Sequence, residues 1–425
     1  MKTLLVSANT EQINMPVLPV GLAAVAAAAA QAGHEVRIVN LMARRGSRAR
    51  LQEAFERFQP EVVGVSVRNI DDQCMRDRWF LLDAVKEVVD DLRSLSHAPI
   101  VLGGAGFSIF PRSVLAYLGA DMGIQGEGEA AFVELLERLN RKADPRGIPG
   151  LVLPGDDSPA PPGLIRNLDA FPLPGPEIHL EPGAPDGEKI WLPFQTRRGC
   201  PMQCIYCSTA AIEGRIPRKR SLDLVVRSIS EHADAGFDHF FFVDNTFNLP
   251  PSYAKDLCRR LASADLKIRW RCILYPWRVD EELVEKMAEA GCAEVSFGFE
   301  SGSEKILRHM NKRFDTREVR RISDLLKKHR IARMGFLLLG GPGETKETVL
   351  ESLNFAESLD LEAMKITSGI RIYPNTTLAR IAASEGLIQQ GDDLLFPVFY
   401  MASGLETWLD DTVGARVENR PHWIG

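Results

Sequence analysis

The sequence predicts an α/β protein built from a doubly wound parallel sheet, then a partial (β/α)6 barrel, then a small C-terminal cap. Three observations carry that expectation. Short apolar runs alternate with helical patterns over residues 1–150. A stretch rich in Pro, Gly and Asp interrupts the alternation over 151–189. The alternation then resumes for six strand–helix units over 190–386, leaving 387–425 as an aromatic-bearing extension. A chain of 425 residues exceeds one ordinary core, in keeping with two or three domains.

In the first part the strands read LLVSA (4–8), VRIVN (36–40), VVGVSV (62–67), PIVLGG (99–104) and DMGIQG (121–126), with helices such as 17–32 and 80–94 between them. Regular alternation of this kind makes a parallel sheet covered on both faces. Several strands end in small residues, Ser66, Gly103, Gly104 and Gly126, at the edge where open α/β sheets bind ligands. The interruption, with LPGDDSPAPPGL and FPLPGPEIHLEPGAPDG, reads as a linker, because proline fixes the backbone and removes donors. In the second part the strands read IWLPFQT (190–196), HFFFVD (239–244), IRWRCIL (268–274), EVSFGFE (294–300), RMGFLLLG (333–340) and KITSGIRI (365–372). Helices fit at 221–235, 251–264, 280–290, 303–310, 316–329 and 344–358. An open barrel suits a large ligand at the C-terminal ends of its strands.

Composition narrows the class. With 45% hydrophobic and 25% charged residues the chain is an ordinary globular protein, and its net charge of −6 gives no reason to expect nucleic acid or an anionic membrane. The basic run IPRKR (216–220) reads as a solvated or ligand-facing loop. No secretory signal is visible, and the Ala-rich stretch 21–32 is too short to span a bilayer. Seven cysteines, an odd number with three bunched, suit a reducing cytoplasm and a metal site better than a disulfide framework.

The bunched cysteines lie in RRGCPMQCIYCS, where Cys200, Cys204 and Cys207 have the spacing CxxxCxxC. Thiolate is a soft ligand that suits iron–sulfur clusters and zinc. Three thiolates in eight residues can hold three irons of a cubane and leave the fourth open, as a catalytic cluster needs. A zinc site would show paired knuckles and a fourth ligand nearby, and none is obvious. Cys258, Cys272 and Cys292 are scattered and read as core residues, and Cys74 is unassigned.

This motif, with Tyr206 just before its last cysteine, resembles the radical S-adenosylmethionine (SAM) superfamily, and the resemblance extends over about 191–385. It implies a 4Fe–4S cluster on Cys200, Cys204 and Cys207 whose open iron chelates SAM and cleaves it to a 5′-deoxyadenosyl radical. It places Tyr206 among the SAM contacts. VDNTFN (243–248) departs from the common Gly-Gly-Glu at the second strand, and implies Asp244 and Asn245 toward the SAM amino group, with a turn-forming pair as the alternative. SFGFESGSEKILRHMNK (296–312) resembles the ribose motif and implies Glu300 and Ser301 on the hydroxyls, with simple capping by Ser301 and Ser303 as the alternative. MGFLLLGGPGET (334–345) resembles the adenine motif and implies close backbone approach at Gly340 and Gly341. Arg371 in RIYPNTTL is assigned to the SAM carboxylate, the substrate or a surface ion pair.

Residues 1–150 resemble the Rossmann-like cobalamin-binding domain of one branch of that superfamily, the class B methyltransferase-like enzymes. The resemblance rests on PVLPVGLAAVAAAAAQAGHEVRIVN (16–40), VLGGAGFSIFP (101–111) and GIQGEGEAAF (123–132). It implies cobalamin over Ser66, Arg68, Asn69, Gly103, Gly104 and Gly126, with Glu127 structural or ligand-facing. The D-x-H-x-x-G motif that gives cobalt a histidine is absent: His34 and His97 lack the required aspartate and read as ordinary surface residues. The branch implies cobalamin-dependent methylation of an unactivated carbon of a small molecule or peptide, with flavodoxin or ferredoxin as electron donor. The alternatives are radical cyclisation, ring contraction or rearrangement without methyl transfer, and, from another class, an iron–sulfur carrier or a cobalamin sensor.

Overall fold

Apolar runs bounded by turn-forming residues build the first sheet where the sequence places them. The structure, a computed structural model, describes residues 1–10, 18–42, 47–76, 78–156, 159–179 and 191–425. Residue 17 of the expected first helix, 157–158 and 180–189 of the expected linker, and 190 of the first expected barrel strand lie outside the described residues. The chain divides into two units, Met1–Asp72, Trp79–Leu192 and Thr209–Arg220 in the first, and Gln73–Arg78, Pro193–Ser208 and Ser221–Gly425 in the second.

The elements of the first unit are β1 (Lys2–Ser7), α1 (Val20–Gln31), β2 (Glu35–Asn40), α2 (Ser47–Phe58), β3 (Val62–Ser66), α3 (Leu82–Leu95), β4 (Ile100–Gly103), α4 (Ala105–Ile109), α5 (Pro111–Leu118), β5 (Met122–Ile124), α6 (Gly128–Asn140) and β6 (Leu151–Val152). The sheet order is β2-β1-β3-β4-β5-β6. The first five strands are parallel; β6 closes the edge antiparallel to β5, pairing Gly123 with Val152 and Ile124 with Leu151. That last strand lies where the sequence predicts linker: a buried apolar pair finds the sheet edge although two residues carry no period. Helices α1 and α6 pack together on one core of Leu5, Ala26, Val101, Phe132 and Leu135. Burying side chains such as Phe132 and Leu135 contributes about 1.5–3 kcal/mol each.

Three short elements follow β7 (Leu192–Phe194): β8 (Arg197–Arg198), α7 (Thr209–Glu213) and β9 (Arg218–Lys219). The IPRKR run is solvated only in part: Ile216, Pro217 and Lys219 are exposed, whereas the two arginines are buried. Arg218 is buried in the first unit, where it bonds Glu127 at 2.7 Å and the Ile165 carbonyl at 2.8 Å, and Arg220 bonds the carbonyls of Leu168 and Phe171. Glu127 is thus structural, holding Arg218 and the Ile165 N–H.

The second unit continues with α8 (Leu222–Asp234), β10 (His239–Phe242), α9 (Pro251–Ser263), β11 (Arg269–Leu274), α10 (Glu281–Glu289), β12 (Cys292–Glu300), α11 (Glu304–His309), α12 (Thr316–Lys328), β13 (Ala332–Leu339), α13 (Lys346–Ser358), β14 (Ala363–Ser368), β15 (Ile370–Arg371), α14 (Thr377–Ser384), β16 (Phe399–Tyr400), α15 (Glu406–Val417) and β17 (Trp423–Ile424). The sheet runs β17-β14-β13-β12-β11-β10-β7. The six expected strands are present in order, and the C-terminal extension, expected as a cap, adds β17 parallel to β14 through Met364↔Trp423 and Lys365↔Ile424. Period 2 sorts the faces. On β12, Val295, Phe297 and Phe299 are fully buried toward the helices, whereas Glu294, Ser296, Gly298 and Glu300 lie on the other, half-buried face. Cys258, Cys272 and Cys292 are buried and free, as core residues.

Candidate active site

The loop that carries the three cysteines leaves β8 and is held from behind. Asp244, at the end of β10 and 0% exposed, accepts through Oδ1 from the N–H groups of Thr196 (2.8 Å) and Arg197 (3.0 Å), and through Oδ2 from the Thr196 hydroxyl (2.6 Å). Arg197, 3% exposed, pairs with Asp244 at 3.2 Å and donates to the Phe247 and Leu249 carbonyls. Its guanidinium packs over the Phe247 and Tyr253 rings. Farther along the loop, Ile205 donates to the Met310 carbonyl and accepts from the Leu378 N–H, and Asn311 Nδ2 donates to the Gln203 carbonyl at 2.7 Å. None of the three is in a disulfide: Cys200 and Cys204 are half-buried and Cys207 is exposed. Burial pushes the Cys204 thiol up, against the pull of Lys312.

Beside Cys204 lies a buried polar group. Glu300 Oε1 accepts from the Tyr206 hydroxyl at 2.8 Å and from Lys312 Nζ at 3.1 Å, and Lys312 also donates to Tyr206 at 2.9 Å. Glu300 Oε2 has no protein partner among the described residues, so it is free to accept from a ligand. A local break in register explains why the carboxylate sits here: β12 pairs Gly298 with Phe336 and Glu300 with Leu337, and Glu300 takes the left-handed conformation at φ 61°. A non-glycine residue in that region is uncommon and costs on the order of 1–3 kcal/mol, which the surrounding bonds must outweigh. Burial, then Glu300, holds the Tyr206 hydroxyl well above its ordinary value. Burial pulls Lys312 down, but Glu300, Tyr206 and Cys204 outweigh it, so the ammonium stays protonated well above its ordinary value. Lys312 is the residue that sequence reasoning missed. It closes the quoted ribose motif, but a lysine just past a helix reads as solvated.

Gly340 and Gly341 follow β13 in a turn built on Glu344. Both N–H groups donate to Glu344 Oε2, at 2.5 and 2.9 Å. Gly340 has φ 92°, and a Cβ there would stand 2.7 Å from Met401 Sδ. Glu344 is 4% exposed with Oε1 unpartnered, and burial raises it to about 7.

Three expected SAM contacts are bonded within the protein. Asp244 is fully buried, with both carboxylate oxygens bonded at the loop root. Ser301 is buried against Ser352 (Oγ–Oγ 2.8 Å) and accepts from the Ser303 N–H, in keeping with the capping alternative. Arg371 is buried, donating to the carbonyls of Ile372, Leu394 and Leu395. Asn245 stays half-buried at the strand end.

The residues fit a cubane. Among the described residues no His, Cys, Asp and Glu side chains are gathered for a single metal ion. Three thiols that each meet a different iron stand farther apart than ligands of one ion, and no fourth protein ligand accompanies them.

In the first unit the loops after β3, β4 and β5 meet at the strand ends. Ser108 is buried, donates to the Gly104 carbonyl at 2.8 Å and accepts from the Gly126 N–H at 2.9 Å, tying two of those loops together. Gly104 has φ 99°, and a Cβ there would lie 2.6 Å from the Val67 carbonyl. The ledge is therefore bare backbone, as a flat macrocycle requires, with Ser66 and Asn69 half-buried and Arg68 exposed beside it. His34 and His97 lie at the opposite edge, on the connections into β2 and β4, and His34 Nδ1 sits 3.3 Å from the N-terminal amine.

Both parts of the chain match known families. The model of the radical SAM superfamily matches residues 195–356, and that of the B12 binding domain matches 6–136. An uncharacterised methyltransferase of Pyrococcus horikoshii is 28% identical over 91% of this chain and 84% of its own length. The tryptophan 2-C-methyltransferase of Streptomyces laurentii is 26% identical over 89% of this chain and 74% of its own. An anaerobic magnesium-protoporphyrin IX monomethyl ester cyclase of Rubrivivax gelatinosus is 26% identical over 76% and 58%. In fold, the chain is similar to the radical SAM methyltransferase TsrM of Kitasatospora setae, solved with cobalamin and a 4Fe–4S cluster (TM-score 0.86, 23% identity, 99% of this chain and 90% of that one). The two domains carry three cofactors, a 4Fe–4S cluster and SAM in one and cobalamin in the other. The chain belongs to the radical SAM enzymes that carry a B12-binding domain.

Proposed function

We propose that the enzyme is a cobalamin-dependent methyltransferase acting on an unactivated carbon of a small molecule or peptide. The observation that carries this reading is one chain holding both a three-thiol loop beside a ligand-ready carboxylate and a glycine ledge at the ends of a doubly wound sheet. When bound, the cluster and SAM supply a 5′-deoxyadenosyl radical and cobalamin supplies the methyl group. The chain's own residues hold the parts. Cys200, Cys204 and Cys207 bind three irons, and Glu300 Oε2 accepts from the ribose hydroxyls. Tyr206 and Asn245 line the SAM site, and Gly340 and Gly341 admit the adenine. Ser66, Arg68, Asn69, Gly103, Gly104 and Gly126 form the cobalamin ledge. Cysteines outside any disulfide suit a reducing cytoplasm with a flavodoxin or ferredoxin donor. No described helix is long and apolar enough to cross a membrane.

The test is anaerobic turnover of the reconstituted enzyme with dithionite and SAM. 5′-Deoxyadenosine and S-adenosylhomocysteine are both expected, and Cys200→Ala abolishes both. S-Adenosylhomocysteine absent while deoxyadenosine still forms would favour the second reading, radical cyclisation or rearrangement, which the similarity to the ester cyclase supports.

A further inference from the structure

The Lys312 ammonium touches both halves of the site. It lies 3.1 Å from Glu300 Oε1 and donates at 2.9 Å to the hydroxyl of Tyr206, the residue before Cys207 in the cysteine loop. Its side chain is 3% exposed and is ringed by Tyr206, Tyr275 and Phe314, whose centroids lie 5.2, 5.8 and 5.9 Å away. Water is therefore kept from the charge, and its field on near neighbours is little screened. Its backbone is fixed as well. Asn311 turns through φ 58°, its side chain grips the cysteine loop at the Gln203 carbonyl, and the Lys312 N–H donates to the Leu307 carbonyl at 2.9 Å. Because Lys312 and Tyr206 both take Oε1, the carboxylate is rotated so that Oε2 is the oxygen left for a ligand.

We propose that Lys312 is a positioning residue with two effects: through its buried charge beside the cysteine loop it makes the cluster easier to reduce, and through Oε1 it aims Glu300 at SAM. The inference rests on the radical SAM reading of the chain. A buried cation near the sulfur ligands stabilises the reduced, more negative cluster, because charge near the sulfurs helps set iron–sulfur potentials. A carboxylate that loses this partner keeps only Tyr206 to orient it.

The experiment uses the reconstituted full-length enzyme and three variants, K312M, K312R and E300Q. Iron content is measured first, then the cluster midpoint potential by an EPR-monitored titration without SAM, then SAM affinity with the cluster oxidised. In K312M, iron content stays at the wild-type level, the reduced fraction at a fixed poise falls about tenfold, equivalent to 59 mV for a one-electron couple, and SAM binds at least about tenfold more weakly. K312R, which keeps the charge, stays closer to the wild-type potential than K312M does. E300Q weakens SAM binding with a smaller change in potential than K312M. A wild-type potential in K312M overturns the first effect and leaves Lys312 as a brace for Glu300; wild-type SAM affinity in K312M overturns the second. If K312M does not fold, K312Q, which keeps a donor and drops the charge, carries the same two expectations. Failure of the underlying reading looks different: the wild-type protein then takes up no iron and gives no cluster signal.

Discussion

At the scale of single residues, the site depends on buried side chains that hold its backbone. Asp244 and Arg197 are an ion pair out of reach of water. Breaking such a pair leaves an uncompensated buried charge and costs about 3–5 kcal/mol. Asp244→Asn is accordingly expected to lower stability by that amount in a denaturant titration and to reduce iron uptake, because Thr196 and Arg197 root the cysteine loop. Cys200, Cys204 and Cys207 were legible as a candidate ligand set from residue type and spacing, and Glu300 from its resemblance to a ribose motif. The sequence did not show which polar residues turn inward. Asp244, Ser301 and Arg371 all stand at strand ends in the expected motifs, and all three are buried with bonds to backbone or neighbouring side chains. Lys312 is the reverse case: twelve positions from Glu300, it meets that carboxylate only because α11 and the left-handed turn at Asn311 fold it back.

At the scale of elements, strands with a clear period were readable and two-residue strands were not. β12 shows why: its buried Val295, Phe297 and Phe299 alternate with half-buried residues over nine positions. By contrast β6 and β17 owe their place to neighbours. KITSGIRI splits at Gly369, whose φ of 78° ends β14 before β15. The turn after β13 makes a pH-dependent prediction. Burial raises Glu344 from 4.5 to about 7. An acid raised on folding stabilises the fold below its unfolded value, and that contribution is lost as pH rises through the folded value. At about 1.36 kcal/mol per unit the loss between pH 4.5 and 7.5 amounts to about 3 kcal/mol at most. Glu344→Gln can still accept from Gly340 and Gly341 without ionising. Its gain over the wild type in urea titrations is expected to be larger at pH 8 than at pH 5.5; an equal gain at both would contradict the assignment.

At the scale of the whole molecule, the order of sheet, interruption and barrel followed from alternation alone. The assignment of residues 209–220 to the first unit did not, because it rests on tertiary bonds from Arg218 and Arg220 to residues as far away in sequence as Glu127. The last strand likewise depends on the finished sheet. Trp423 is buried against β14 and covered by Arg420. Trp423→Ala is expected to cost about 3–5 kcal/mol in the second unit, seen as a lower melting transition, while cobalamin binding by the first unit is unchanged.

The clamp at Arg197 bears on how metal and folding relate. In many small metal sites the ligands are the only thing ordering their own loop, so stripping the ion unravels the domain. Here the root of the loop is gripped by a carboxylate, two rings and a pair of carbonyls, none of them from a cysteine. Iron can therefore leave and return as a local event: oxidative bleaching should erase the visible absorbance yet barely alter the far-ultraviolet circular dichroism, and anaerobic iron and sulfide should refill the same polypeptide without a refolding step.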